Sequence, residues 1–229
     1  MADLTHEYKR SGHADMSDRP IIMDRESVRS LLAGRKTQTR RPVRRPWDDL
    51  TIAKPHPHIR GYMIEADSTT ATVGGVDWPC FADQHGDWHL LRSPFGAYGD
   101  RLWVRETWAP RLSSLRLSDM LRSSLEPFDY LADHAETMTA PKAGYEPRWY
   151  PSIHMPREAC RMHLSVKRVW VERVQVISAA DIEAEGIRAE GAVPVGYVWR
   201  DAWNAHYGAG PYDYDNNPLV WACEFEVER

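Results

Sequence analysis

The sequence has few cysteines and no long apolar segment, and both absences narrow the kind of protein it encodes. Its three cysteines, Cys80, Cys160 and Cys223, are odd in number and far apart. This pattern disfavours a disulfide framework and favours a reducing compartment, so we expect a cytoplasmic protein. No apolar run approaches the roughly 18–20 residues that span a bilayer, and we expect no membrane association.

Motifs of several enzyme and metal-binding classes are also missing. The chain has no glycine-rich phosphate loop and no G-x-S-x-G motif. Cys80, His85 and His89 lie close together, but they lack a fourth ligand and the spacing of a zinc finger. We therefore predict no metal site and no cofactor.

Length and composition favour one domain with additions. The 229 residues contain no internal repeat and are enough for a core without disulfides or metals. Residues 1–18 lack the apolar segment of a secretory signal, and we expect a flexible polar tail there. We predict a single domain over 19–229, with insertions at about 46–97 and 109–148.

Positive charge is concentrated in one segment. Residues 35–45, here called the basic strip, contain six lysines and arginines and no acid, although the whole chain has a net charge of −4. Such a strip on an acidic chain indicates a local anionic ligand, and a solvated basic loop is the alternative.

The residues before the basic strip predict a short strand and a helix. Residues 19–23 are a strand candidate, and Asp24 is a suitable N-cap for the residues that follow. Apolar residues then recur at helical spacing until Gly34, which is a suitable stop. The basic strip therefore begins where a helix ends.

Three segments alternate apolar and polar residues as β-strands do: 98–108, 162–174 and 218–228. In the first, Glu106 shares a face with Leu102 and Val104, so it is carried into the core with them. A buried carboxylate needs a partner. An ion pair with an arginine is one interpretation, and a site acid is the other.

Two further helices are predicted in the last quarter of the chain. The first has Ser178 as its N-cap with Asp181 three residues later, and it ends at Gly186. Glu185 lies toward its packed side, at the negative end of the helix dipole, which is unfavourable for a free carboxylate. The second helix covers 197–208.

Short strands, few helices and long connections favour an α+β fold, a small β-barrel with peripheral helices. The order of segments resembles the ASCH family, a branch of the PUA-like β-barrel superfamily. The segments that carry the resemblance are LLAGRKTQTRR, GDRLWVRETW, DIEAEGI and VWACEFEVE. It covers about 19–45, 98–108 and 149–229 and leaves out both insertions. The chain is most similar to phage and prophage ASCH proteins, in which GRKTQTRR, GDRLWVRETW and PSIHMPR occur together.

The resemblance implies a nucleoside or nucleic acid as the partner. One ASCH protein is an amidohydrolase that removes the acetyl group from 4-acetylcytidine, and its working residues match Lys36, Thr39 and Glu185. These three are therefore the predicted catalytic residues. Other ASCH proteins are a reported ribonuclease and RNA-binding proteins. A ribonuclease and a non-catalytic reader of RNA or modified nucleic acid are accordingly the alternatives.

Amide hydrolysis needs a nucleophile, a base and donors for the oxyanion. In this hypothesis Thr39 attacks or positions a water, and Lys36 is the base because burial and nearby arginines favour its neutral form. Glu185 orients Lys36 or passes the proton to the leaving amine. The structural alternative is a solvated Lys36 and a Glu185–arginine ion pair.

Further residues are candidates for ligand binding, since tryptophan can stack on a base and arginine can bind a phosphate. They are Arg40, Arg41, Arg105, Trp108 and His154. Taken singly, each of these residue types is found more often in packing or at the surface. The sequence leaves the oligomeric state open.

Overall fold

The structure is a computed structural model of the chain. It describes residues 18–44, 93–110, 128–134, 147–189, 191–208 and 210–228, and the backbone of short strands at 51–52, 70–73, 76–82 and 88–90. The described residues form an α+β fold, which confirms the predicted class.

The strands are β1 Asp18–Ile22, β2 Gln38–Pro42, β3 Thr51–Ile52, β4 Thr70–Val73, β5 Val76–Ala82, β6 Trp88–Leu90, β7 Arg101–Arg105, β8 Trp108–Pro110, β9 Phe128–Tyr130, β10 His163–Arg173 and β11 Leu219–Glu228. The α-helices are α1 Arg25–Leu32, α2 Ala179–Ala184 and α3 Val195–Tyr207. Short 3-10 helices cover Leu131–Asp133, Ser152–His154, Arg157–Ala159, Val174–Val176 and Tyr214–Asn216.

Five strands form the main sheet, in the order β1-β7-β10-β11-β2. β1 runs parallel to β7, and the other neighbours are antiparallel. The longest ladder joins β10 to β11, with a register shift between Val166 and Arg168. The strands predicted from alternation are therefore confirmed, and they meet in one sheet.

The main sheet packs apolar side chains on both faces. Alternation along β11 turns Trp221, Cys223 and Phe225 toward the larger core, which α1 covers with Val28 and Leu31. The side chain of Val220 belongs instead to a second cluster under α2 and α3, with Val174, Ile182, Trp199 and Trp203. Each fully buried side chain of this kind contributes roughly 1.5–3 kcal/mol. The main sheet is thus covered on both of its faces at β11.

Arg41 connects the two outer strands of the sheet. Its Nη2 donates to the Ile22 carbonyl at the end of β1 at 2.9 Å, and it lies 3.9 Å from Met23 Sδ. The sheet therefore curls until β1 and β2 approach each other. Within the described ranges no strand pairing closes it, so the PUA-like barrel stays a prediction.

The predicted helix ends are confirmed. Asp24 Oδ1 accepts from Ser27 N at 2.7 Å, and Ser178 Oγ accepts from Asp181 N at 3.1 Å. Gly34 (φ +68°) lies just beyond α1, and Gly186 (φ +86°) lies just beyond α2. Both glycines adopt the left-handed conformation that ends a helix.

The insertions carry small sheets of their own. β3, β4, β5 and β6 pair with one another between residues 51 and 90, and β8 pairs with β9 across the start of the second insertion. The expected tail, apart from Asp18, lies outside the described residues, as do the side chains of Cys80, His85 and His89. None of the helices in the described ranges has the length and apolar character needed to cross a membrane.

Candidate functional site

Lys36 and Glu185 form a buried ion pair although they are 149 positions apart in the sequence. Lys36 Nζ donates to Glu185 Oε2 and to the Glu185 main-chain oxygen, both at 2.7 Å. The two side chains are only 4% and 5% exposed. The structure therefore brings together two of the three predicted catalytic residues.

Close packing of two helix ends positions this pair. The main-chain nitrogen of Lys36 donates to Ser30 O of α1, and that of Thr37 donates to Ala184 O of α2 at 2.8 Å. A Cβ on Gly186 would lie 2.8 Å from Ser30 Cβ and 3.2 Å from Lys36 Cβ. Glycine is thus required at this position by both space and backbone conformation.

Arg40 extends the pair into a network. Its Nη1 donates to Glu185 Oε1 at 3.2 Å and to Gln38 Oε1 at 3.0 Å, and its Nε donates to Glu172 Oε1 at 2.7 Å. We call Lys36, Glu185, Arg40 and Glu172 the buried charge cluster. Two cations balance two anions, which satisfies the requirement that buried charges be paired.

Thr39 lies on the other face of β2. Alternation turns Gln38 and Arg40 toward α2 and turns Thr39 and Arg41 toward the larger core. Thr39 is fully buried opposite Cys223, and its hydroxyl accepts a long hydrogen bond from Arg41 Nη1 at 3.4 Å. The described hydrogen bonds therefore join Lys36 to Glu185 but not to Thr39, because neighbouring residues of a strand point in opposite directions.

The described cations of the basic strip are divided between the interior and the surface. Lys36 and Arg40 are buried in the charge cluster, and Arg41 connects β2 to β1. Arg35 and Arg44 are exposed, and Arg45 lies outside the described residues. Of the five described cations of the strip, three are thus held by contacts inside the protein and two are exposed.

Arg105, Trp108 and His154 belong to a different region. Arg105 Nη2 donates to the Ile153 carbonyl, and Trp108 stacks on Tyr150 with 5.4 Å between ring centroids. His154 is exposed on the 3-10 helix Ser152–His154. In the part of the chain that the structure describes, none of the three contacts the buried charge cluster by a hydrogen bond. Their predicted role in ligand binding stays a prediction, in a region that the hydrogen bonds of the cluster do not reach.

Glu106 is an ion-paired core residue. Its carboxylate accepts from Arg161 Nε at 2.8 Å and from Arg161 Nη2 at 2.9 Å, and Arg161 Nη1 also donates to Asp133 at 2.7 Å. The Glu106 side chain is 2% exposed, and this burial raises its pKa although Arg161 acts in the opposite direction. The ion-pair interpretation of Glu106 is confirmed.

Sequence reasoning missed Glu172 and Trp170. The indole Nε1 of Trp170 donates to Glu172 Oε2 at 2.8 Å, while the other Glu172 oxygen holds Arg40. The two residues are separated by one position on β10 and therefore share a face. Alternation alone could have paired them with each other, but their contact with Arg40 on β2, two strands away, follows only from the sheet order.

His206 and Asp24 connect α3 to α1. Their contact predicts that the free energy of unfolding depends on pH. His206 Nε2 lies 3.1 Å from Asp24 Oδ2, and this hydrogen bond raises the pKa of His206 above 6.5, although burial and the nearby Arg41 oppose the rise. The same hydrogen bond lowers the pKa of Asp24. The stabilising contribution is therefore fully present between the unfolded pKa values of Asp24 (3.8) and His206 (6.5), and it is lost as the pH rises through the raised pKa of His206 or falls through the lowered pKa of Asp24.

We expect the free energy of unfolding to fall by less than ~1 kcal/mol across that rise, because both side chains are half exposed. Urea unfolding at about pH 6 and about pH 9 measures the change. His206→Gln should lack this component of the pH dependence. An identical pH profile for the two proteins would contradict the assignment.

The described residues thus define an α+β protein with a buried charge cluster where the ends of α1 and α2 meet β2. No family model, curated protein or solved structure matches the chain.

Proposed function

We propose that this chain is an ASCH protein of the PUA-like class that binds a nucleoside and hydrolyses an acyl-amide on its exocyclic amine, such as that of 4-acetylcytidine. The observation that carries the proposal is the 2.7 Å contact between the ammonium of Lys36 and the carboxylate of Glu185. Both residues match working residues of the ASCH amidohydrolase in residue type and in the segment where they lie. The proposed catalytic residues are Lys36 and Glu185.

The geometry supports a proton relay. Glu185 removes a proton from a water, whose oxygen bonds to the acyl carbon, and the developing oxyanion lies near the Lys36 ammonium. Lys36 then gives a proton to the departing amine nitrogen as the carbon–nitrogen bond breaks. The proton held by Glu185 passes to Lys36 across their hydrogen bond. Both groups are restored, and the products are a carboxylic acid and the free nucleoside amine.

These roles differ from the sequence hypothesis, in which Lys36 was the base. Both hydrogen-bond partners of Lys36 Nζ are oxygen acceptors, so Lys36 is oriented to donate and Glu185 is the group able to accept. Water replaces Thr39 as the nucleophile, because Thr39 points to the opposite face of β2. Arg40 keeps a supporting role through its contact with Glu185.

Burial of the pair matters for both reactivity and access. A substrate must displace the side chains that cover Lys36 and Glu185 before it reaches them. Once it does, the exclusion of water strengthens the interaction of the ammonium with the oxyanion. This requirement favours a small ligand such as a nucleobase.

The second candidate is a non-catalytic reader of RNA or modified nucleic acid. It is favoured by the internal balance of the cluster, in which two carboxylates pair with Lys36 and Arg40. In a reader, this network has a structural role alone and holds β2, α2 and β10 together. A reader would bind the modified base without changing it.

Incubation with a panel of acylated nucleosides, read by mass spectrometry, tests the proposal. We expect release of the acyl group from 4-acetylcytidine and formation of cytidine. A reader would bind the nucleoside and leave it intact, and a ribonuclease would instead cleave an added RNA strand. Either of these results would contradict the proposed hydrolysis.

A further inference from the structure

Trp170 lies at the partly exposed end of the buried charge cluster. The Glu172 side chain, which accepts from the indole of Trp170, is 18% exposed, whereas the Arg40 side chain beneath it is 0% exposed. Trp170 itself is half-buried. A chain of contacts therefore leads from this indole through Glu172 and Arg40 to Glu185 and Lys36.

Two guanidinium groups lie near the Trp170 ring. The Cζ atom of Arg168 is 4.8 Å from the ring centroid, and that of Arg40 is 5.8 Å from it. Arg168 is exposed, and in the described ranges no carboxylate forms an ion pair with it. Its contact with the indole is the kind of weak, solvent-exposed cation–π contact that a ligand can replace.

Arg40 also has an unused donor. Its Nη2 is buried and has no hydrogen-bond partner among the described residues. A buried donor without a partner is unfavourable, and an acceptor supplied by a ligand would remove that cost. The free donor belongs to the guanidinium whose Cζ lies 5.8 Å from the centroid of the Trp170 ring.

We infer that Trp170, Arg168 and Arg40 form a nucleotide-recognition end of the proposed site. A planar base replaces the Arg168 guanidinium over the indole, and a carbonyl oxygen of the base accepts from Arg40 Nη2. The released Arg168 pairs with a phosphate, for which the planar guanidinium is well suited. The inference rests on the proposed function and narrows its substrate to a phosphorylated nucleoside, either free or within an RNA chain.

Calorimetric titration with 4-acetylcytidine and with its 5′-monophosphate tests the inference in four variants, each compared in a Glu185→Gln background so that the ligand is not hydrolysed. Trp170→Ala should weaken both ligands by roughly 5- to 150-fold, the effect of removing one aromatic stacking partner. Trp170→Phe keeps a stacking ring and should weaken them less. Arg168→Ala should weaken the monophosphate and leave the nucleoside unchanged. Trp103→Ala removes a matched pair on β7, in which Arg105 Cζ lies 5.3 Å from the indole, and should change neither affinity.

The outcomes separate the inference from the proposed function. Unchanged affinity in Trp170→Ala, or an equal loss in Trp103→Ala, would overturn the inference. Acyl release by the wild-type protein would still support the proposed hydrolysis. Loss of binding in Trp170→Ala, together with no acyl release by the wild type, would support the stacking site and contradict hydrolysis. Titration with a tetranucleotide that contains the same base distinguishes a free nucleotide from an RNA chain as the ligand. Tighter binding than the monophosphate identifies RNA, equal binding identifies the free nucleotide, and either supports the site.

Discussion

Glu185→Gln should lower the rate of hydrolysis of 4-acetylcytidine by at least ~100-fold, since positioned acid–base groups typically contribute 10²- to 10⁴-fold. Glutamine has the size of glutamate and still accepts a hydrogen bond from Lys36, but it cannot take a proton from water. Lys36→Met should have an effect of the same order, because it removes the proton donor. We expect the loss mainly in kcat, which steady-state kinetics on the acylated nucleoside would measure.

A surface pair of the same chemistry provides the matched control. Lys167 Nζ and Glu226 Oε2 are 2.8 Å apart on the exposed part of the main sheet. Lys167→Met and Glu226→Gln should leave kcat and KM unchanged. Equal losses of activity in the buried and the surface variants would show that the assay reports general damage, and full activity of Glu185→Gln would remove it from the mechanism.

Arg161→Met should lower the free energy of unfolding by about 3–5 kcal/mol, the cost of leaving a buried charge without its partner. The guanidinium of Arg161 makes two hydrogen bonds to the Glu106 carboxylate, which is 2% exposed. It also packs 4.0 Å from the centroid of the Tyr130 ring. Urea unfolding followed by circular dichroism would measure the change.

The exposed pair of Arg200 and Asp215 is the control for this loss. Arg200→Met should cost less than ~1 kcal/mol, as surface ion pairs do. The double change Glu106→Gln with Arg161→Met should cost less than the sum of the two single changes, because both buried charges are then removed. A cost below ~1 kcal/mol for Arg161→Met alone would show that Glu106 does not depend on this arginine.

Local signals predicted the elements of the fold well. The Asp24 and Ser178 caps, the Gly34 and Gly186 stops and the alternation over 162–174 all depend on neighbouring residues, so they can be read directly from the sequence. The α+β class follows from these elements. Closure of the sheet depends on how far β1 and β2 approach, which is a property of the whole sheet.

The candidate site was predicted only in part. Alternation fixed the faces of Glu106 and of the final strand, but the faces of β2 were not assigned, and Thr39 was grouped with Lys36 from the resemblance. Arg40 was predicted to bind a ligand or anion; its Nε and Nη1 hold Glu172 and Glu185, and only its Nη2 is left for the ligand proposed above. The contact between β2 and β10 through Glu172 requires the sheet order, which no local pattern contains.

Turnover by the Lys36→Arg variant tests the central claim most directly, namely that Lys36 gives a proton to the leaving amine. Arginine keeps the positive charge beside Glu185, but its guanidinium does not release a proton at a working pH. The account predicts that cytidine formation from 4-acetylcytidine is abolished while calorimetric binding of the nucleoside persists. Robust cytidine formation by Lys36→Arg would contradict the proton relay and leave Lys36 with a purely electrostatic role.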